Sequence, residues 1–359
     1  MANVAVQQPP KRPKIESGLV SERYLRIERV DNFADVIAPK IVFVGAAQSF
    51  RPIGGVKIIL QQVAMLRSAG FNAYMISNSG FPVWLDDDFV RGNARVIIDH
   101  AVPIRPDDAV VLPEGTLDGV LNQAKHWPWT KVLSAMNIVG LRKHPNRKTN
   151  WDDVGFNAKL ALSEFLHTAM RDEFGWSDVT VVPPTVSENV FYPSSGPKDK
   201  TVVVSGRKNP PAHKALRALF DADKDTFGGF TWIDLENRSE YFVADHLRRT
   251  TMAVCIGGVE GFGLPPLEAM ASGAIPCGYP GAHGPDEFVT SDNGIWSKTD
   301  QPEDIFAAMK KAAQMRPKSQ RHKKLLAAGQ STAARYRSAV AAEKLVEFWS
   351  EHAPRTRNL

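Results

Sequence analysis

At 359 residues the chain is longer than one ordinary domain, and a hydrophobic content of 43% is enough to build two cores, so two globular domains are expected. No run approaches the ~18 to 20 apolar residues that a membrane span requires, and the start lacks the apolar centre of a secretory signal, so a cytoplasmic protein is expected. The formal net charge of +5 favours anionic ligands or surfaces, among which nucleotide sugars, nucleic acid and acidic lipid all qualify. Cys255 and Cys277 are the two cysteines, and each lies in an apolar run that reads as buried strand, so no disulfide is expected.

Residues 1–36 are polar and proline-bearing, with Pro9-Pro10-Lys11-Arg12-Pro13-Lys14 near the start. They read as a flexible basic tail, either solvated or serving as an address or nucleic-acid arm. Organised structure begins with the apolar run Lys40 to Gly45. It is followed by Gly54-Gly55 and the helical spacing of Val56, Ile59, Leu60, Val63 and Leu66. Phe71 to Ser77 reads as the next strand, which completes a βαβ unit of the doubly wound type. Val96–Ile98, Ala109–Leu112, Lys131–Ala135, Ala161–Leu162 and Thr180–Val182 continue a series of short buried strands. Asp86-Asp87-Asp88 follows a turn and reads as an acidic helix start.

Pro183-Pro184 and Tyr192-Pro193-Ser194-Ser195-Gly196-Pro197 read as a connection between domains. A second unit starts at Thr201 to Gly206, with strands expected at Phe230–Leu235, Met252–Ile256 and Ala274–Gly278 and helices between them. The division expected is a first Rossmann-like domain over 37–192, a second over 198–332 and a C-terminal helical segment over 333–359.

The stretch Glu260-Gly261-Phe262-Gly263-Leu264-Pro265-Pro266-Leu267-Glu268-Ala269-Met270-Ala271-Ser272-Gly273 places two carboxylates, with seven residues between them, across a glycine turn that opens a short helix. Pro265 and Pro266 suit a first helical turn, where a missing N–H costs nothing, and Gly273 suits the left-handed stop. Gly261 and Gly263 are expected to let a ligand reach the backbone, and the unpaired amides of the helix start to attract a diphosphate. Glu268, expected in the first turn, can accept hydrogen bonds from a ribose diol.

This string resembles the signature of the retaining GT-B glycosyltransferases of the large family four, which end the second glutamate in Leu-Glu-Ala-Met-Ala and a small residue. The resemblance implies an α/β fold of GT-B type, two Rossmann-like doubly wound domains facing a cleft, the first on the acceptor side and the second on the nucleotide-sugar side, with the C-terminal helical segment 333–359 packing back on the first. It also implies that Glu260 touches the donor sugar or its phosphate while Glu268 holds the ribose. It covers most of residues 40–350 and is specific mainly in the glutamate motif. Gly54-Gly55 matches the family's glycine loop, which approaches the donor phosphates. Arg207, with Lys208 or Lys214, follows the strand ending in Ser205-Gly206 and is expected to neutralise the departing diphosphate.

Other residues carry weaker signals. Glu114 and Asn137 each end a first-lobe strand and suit hydroxyl recognition on a donor or acceptor sugar, or a local cap. Ser163-Glu164-Phe165 reads better as a helix cap than as a sugar contact, and His283 has no expected partner. Trp127, Trp129, Arg142, Lys143, Arg147 and Lys148 interleave aromatic and basic types, which suits an acceptor or nucleic-acid surface as well as a solvated loop with core tryptophans. No His/Cys constellation has metal-ligand spacing, so no metal and no tightly bound cofactor is expected. The resulting expectation is metal-independent transfer of a sugar from a nucleoside diphosphate to an acceptor hydroxyl, with retention. The acceptor is a cell-surface glycan or lipid-linked sugar, approached by a peripheral membrane contact, or else hydroxymethylated pyrimidine in DNA. The alternative from another class is an inactive module that binds sugar nucleotides or nucleic acid.

Overall fold

The computed structural model describes residues 25–26, 38–45, 52–77, 80–97, 104–142 and 149–357. The N-terminal tail reading and Lys143, Arg147 and Lys148 therefore lie outside the described residues, apart from the two-residue strand β1 (Leu25–Arg26), which pairs antiparallel with β4 (Phe81–Pro82).

The first lobe is a seven-stranded parallel sheet. Its strands are β2 (Ile41–Val44), β3 (Ala73–Ile76), β5 (Val96–Ile97), β6 (Ala109–Pro113), β7 (Thr130–Ala135), β8 (Ala158–Ala161) and β9 (Val179–Val181). They lie in the order β5-β3-β2-β6-β7-β8-β9. Both faces are buried, which is why runs such as Ile41-Val42-Phe43-Val44 are apolar without alternation. One face packs against α1 (Gly54–Ser68), and the other against α3 (Asp118–Ala124), α4 (Ile138–Arg142), α5 (Trp151–Val154) and α6 (Glu164–Phe174). The short α2 (Asp88–Asn93) starts at Asp87, whose carboxylate accepts from the amides of Phe89 and Val90, as the acidic cluster leads one to expect. The strand expected at Ala161–Leu162 lies earlier, at Ala158–Ala161, because Ser163 immediately caps the following helix.

The second lobe is a five-stranded parallel sheet in the order β11-β10-β12-β14-β16. The ranges are β10 (Asp199–Ser205), β11 (Thr231–Asp234), β12 (Thr250–Ile256), β14 (Ile275–Tyr279) and β16 (Ile295–Trp296). Helices α7 (Pro210–Ala222), α8 (Lys224–Phe227) and α11 (Pro302–Ala313) cover one face, while α9 (Glu240–Arg249) and α10 (Leu264–Ala271) cover the other. A further parallel pair, β13 (Val259–Glu260) with β15 (Ala282–His283), stands outside the main sheet at the start of the glutamate motif. Two residues each are too short for a periodic signal, so sequence patterning does not reveal them. The two lobes are thus Rossmann-like parallel sheets, the α/β architecture of GT-B proteins.

Two further helices follow, α12 (Gln320–Ala334) and α13 (Ser338–His352). Helix α13 leaves the second lobe and lays Ala341, Leu345, Phe348 and Trp349 into the first-lobe core beside α1. The Trp349 ring meets Phe43 of β2 edge-on at 6.1 Å between centroids. Beyond the helix, the Thr356 carbonyl accepts from the Asn72 amide at 2.7 Å, so the end of the described chain is stitched to the first lobe. The outgoing and returning strands of the connection are bonded to each other, since the Val186 amide donates to Tyr336 O at 2.9 Å and Arg337 donates to the carbonyls of Val186 and Phe191. Trp349 is fully buried, so Trp349→Ala is expected to cost roughly 3 to 5 kcal/mol through lost burial and the cavity left behind. Urea unfolding monitored by circular dichroism measures it; a loss below about 1 kcal/mol would mean that the helix contributes little to the first lobe.

Candidate functional site

In parallel α/β sheets ligands gather beyond the C-terminal strand ends, and here those ends from the two lobes enclose a cleft of about 850 Å³. Its walls bring together Gly54, Gly55, Glu114 and Asn137 from the first lobe with Arg207, Lys208, Glu260, Gly261, Phe262, Gly263, Leu264 and Glu268 from the second. Trp127 and Trp129 also reach it, with ring centroids 4.7 Å apart. Lys214 is on the exposed side of α7 and is not among the lining residues. Of the two lysines proposed beside Arg207, Lys208 is therefore the one in the cleft.

Two helices begin at the cleft, and neither has a side-chain cap. Helix α1 follows Ile53 and α10 follows Gly263; the first amides of α1, and at α10 those of Gly263 and Leu264, since Pro265 and Pro266 carry no N–H, have no side-chain acceptor. A Cβ placed on Gly54 would lie 3.9 Å from Leu264 Cδ1, which puts the two helix starts against one another across the cleft. Gly263 adopts φ +96° and Gly273 φ +70°, the latter being the left-handed stop expected after the helix. Glu268 is the fifth residue of α10, not part of its first turn as the sequence suggested, so its position relies on a specific partner more than on the helix dipole.

That partner is Lys57. Its ammonium, carried by α1 of the first lobe, lies 2.8 Å from Glu268 Oε1 and 2.6 Å from Glu240 Oε1, both on second-lobe helices. Burial alone would lower the Lys57 pKa, but the two carboxylates outweigh it and raise it above the ordinary lysine value, so the side chain stays charged. The Phe191 ring closes the cage, 4.5 Å from the ammonium nitrogen. Glu240 in turn accepts from the amides of Asp86 and Asp87 through Oε2, both at 3.1 Å, while Asp86 accepts from the Tyr241 amide at 2.9 Å. Sequence reading missed Lys57 and Glu240 altogether. The only trace was a lysine inside the apolar run Val56 to Leu60.

Glu260, on β13, is ion-paired with Lys208. Arg207 has no carboxylate partner among the described residues and is exposed at the cleft. Glu114 is buried and accepts from the Met136 amide at 2.9 Å, and Asn137 Oδ1 accepts from the Val139 amide at 2.8 Å. Both line the cleft and also perform the local bonding that was the alternative reading. Phe262 is a core residue, packed between Phe288 at 5.4 Å and Tyr336 at 5.1 Å.

Gly261 lines the cleft and also meets the first lobe closely. The space its missing side chain leaves is filled by the first lobe: a Cβ there would lie 1.9 Å from the Met136 carbonyl oxygen. Ser163 caps α6 as expected, accepting from the Leu166 amide, and its hydroxyl also donates to Gly261 O at 2.7 Å. The His283 ring stacks on Phe165 at 4.5 Å, and Glu287 accepts from the Phe165 amide at 2.9 Å. These contacts join the lobes at the start of the glutamate motif and at the loop around His283 and Glu287 beside it.

The basic-aromatic surface is only partly assembled. Arg142 is held by Glu173, with Nε donating to Oε2 at 2.7 Å. Among the described residues no group of three or more His, Cys, Asp or Glu side chains is placed to hold a metal ion, and no helix is long and apolar enough to cross a membrane. Burial pushes the Cys255 thiol up to about 12, with Glu260 and Glu268 adding to it.

Residues 235–326 match the family model described as glycosyl transferases group 1. A comparison with curated protein sequences found no match. Among solved structures, the chain is similar to sucrose-phosphate synthase from Thermosynechococcus elongatus at 11% identity and TM-score 0.62, covering 87% of this chain and 98% of that one. HepE from Anabaena, solved in complex with UDP-glucose, is similar at 13% identity and TM-score 0.62, covering 87% of this chain and 99% of that one. The lipopolysaccharide outer core galactosyltransferase WaaB, in its apo form, is similar at 14% identity and TM-score 0.55, covering 87% and 99%. The family match and the shared GT-B fold together support a nucleotide-sugar glycosyltransferase.

Since any side chain at position 261 collides with backbone rather than with a movable side chain, Gly261→Ala is expected to wedge the lobes apart. Small-angle scattering should then show a larger radius of gyration than wild type; an unchanged radius would mean that the lobes do not close at this glycine.

Proposed function

We propose that the protein transfers a sugar from a nucleoside diphosphate to a hydroxyl of a glycan or lipid-linked acceptor, with retention at the anomeric carbon. The observation that carries this reading is the meeting of two uncapped helix starts, at Gly54 and Leu264, in one cleft with Arg207 and Lys208. Orphan amides and the positive helix ends favour an anion, and two cations beside them suit a diphosphate more than a neutral sugar.

In this reading Arg207, Lys208 and the Gly263 and Leu264 amides at the start of α10 stabilise the negative charge that grows on the departing diphosphate. Glu260, which shares Lys208, is placed to orient that lysine and to accept from hydroxyls of the transferred sugar. Glu268 accepts from the ribose diol. The acceptor enters from the first-lobe side, where Glu114, Asn137 and the Trp127–Trp129 pair line the cleft and where an aromatic face suits a sugar ring. The departing phosphate can take the acceptor's proton, so retention needs no separate general base. Lobe approach supplies the orientation that replaces a bimolecular encounter.

Thermal shifts with UDP, GDP, ADP, TDP and CMP test the donor site. Selective stabilisation by one ribonucleoside diphosphate is expected, and Glu268→Ala should remove much of it, since hydrogen bonds to a charged group contribute roughly 1.5 to 3 kcal/mol. No response to any of the five would overturn the donor reading. For the transition-state role, Arg207→Ala is expected to lower kcat by about 10²- to 10³-fold. A change confined to KM would place Arg207 in ground-state binding instead.

A further inference from the structure

We infer that Lys57 is a positioning residue for donor recognition: from the first lobe it holds Glu268 of the second in the orientation that accepts the ribose diol, so the diol site is complete only when the lobes are together. The inference rests on the proposed nucleoside-diphosphate donor. Four observations carry it. The Lys57 ammonium is within 2.8 Å of Glu268 Oε1 and 2.6 Å of Glu240 Oε1. Its side chain and that of Glu240 are 7% and 4% exposed, against 13% for Glu268, which also lines the cleft. Glu268 thus has one oxygen fixed by a cation while its carboxylate remains at the cavity wall, and a carboxylate has enough lone pairs to serve an ammonium and a diol at once. Finally, Lys57 and its two carboxylates stand on three helices, α1, α9 and α10, one of which belongs to the other lobe.

The physical argument is one of orientation and charge. Without Lys57 the two carboxylates would face each other unneutralised, and Glu268 would be free to turn toward solvent or to take up a proton. Either change removes the diol acceptor without touching the diphosphate contacts at Arg207, Lys208 and the helix starts. Lys57 should therefore govern discrimination for the ribose hydroxyls and leave affinity for the phosphates nearly intact.

Calorimetric titration of the full chain tests this. UDP, GDP and ADP identify the base, and the best of them is then compared with its 2′,3′-dideoxy counterpart. Wild type is expected to prefer the ribonucleotide by about 10- to 100-fold. Lys57→Met leaves two buried carboxylates unpaired and is at risk of not folding. The double variant Lys57→Met/Glu240→Gln leaves only Glu268, the more exposed of the two at the cleft wall, without its cation and is the decisive protein. Its preference should fall to about twofold or less while its affinity for the dideoxy compound stays near the wild-type value, a split that a general loss of structure cannot produce. Lys57→Arg, which keeps the charge, should retain most of the preference. A folded double variant with the wild-type preference overturns the inference. Failure of wild type to bind any of the three diphosphates overturns the donor reading itself, and the inference with it.

Discussion

The contact between Gly261 and the Met136 carbonyl sets how closely the two lobes can approach, and the geometry of the cleft follows from that approach. Each lobe is a self-sufficient parallel sheet with its own core, so nothing in either alone fixes the distance between the helix starts at Gly54 and Leu264. That distance is fixed where backbone meets backbone, at a residue with no side chain to hold the surfaces apart. Ser163 then converts the close approach into a directed bond by donating to Gly261 O, and the stacking of His283 on Phe165 extends the contact along the motif. The crossing helix α13 ties the arrangement from behind, since its aromatic face is buried in the first-lobe core while its start follows directly from the second lobe.

Within this frame the charges are sorted along the cleft. At one end stand Arg207 and Lys208 with the positive ends of two helices; among the described residues Glu260 pairs with Lys208 and no carboxylate pairs with Arg207. At the other end one ammonium, Lys57, serves two carboxylates, Glu240 and Glu268, so that group carries a net negative charge. A nucleoside diphosphate is polarised the same way, with anionic phosphates at one end and a hydroxyl-donating diol at the other. In the proposed donor reading, this match gives a nucleoside diphosphate a single favourable direction in the cleft, which is a stronger constraint than affinity for phosphate alone.

Much of the fold could be read from short-range chemistry. Apolar runs without alternation marked the buried parallel strands, Asp87 and Ser163 marked helix starts, and Gly273 marked a helix end, because each of those signals acts within a turn or a strand. The cleft was legible where function coincides with a helix start, at Gly54-Gly55 and at Gly263. What could not be read is everything that depends on the other lobe. Gly261 is indistinguishable in sequence from a glycine with open space on its Cβ side, and Glu240 from a solvated residue at the start of an ordinary helix. Lys57 inside Val56-Lys57-Ile58-Ile59-Leu60 breaks the apolar pattern, but its partners lie 183 and 211 positions away, and no local rule connects them.

The energetics of Lys57 argue that its place is set by geometry more than by stability. Taking an ammonium and two carboxylates out of water costs several kcal/mol per ion, and hydrophobic replacements of buried ion groups are often neutral or stabilising. Here the desolvation is partly offset by ion pairs at short range, by the Phe191 ring, and by the amides of Asp86 and Asp87 that bind the remaining oxygen of Glu240, while burial still pushes the Glu240 carboxyl above its ordinary value. A cluster so closely paired favours one arrangement of three helices, because any rotation of one lobe against the other strips a partner from a buried charge. An apolar patch of the same size would hold the lobes together as well but would tolerate sliding. A charged cluster does not, and the residue it immobilises at the cleft wall is Glu268.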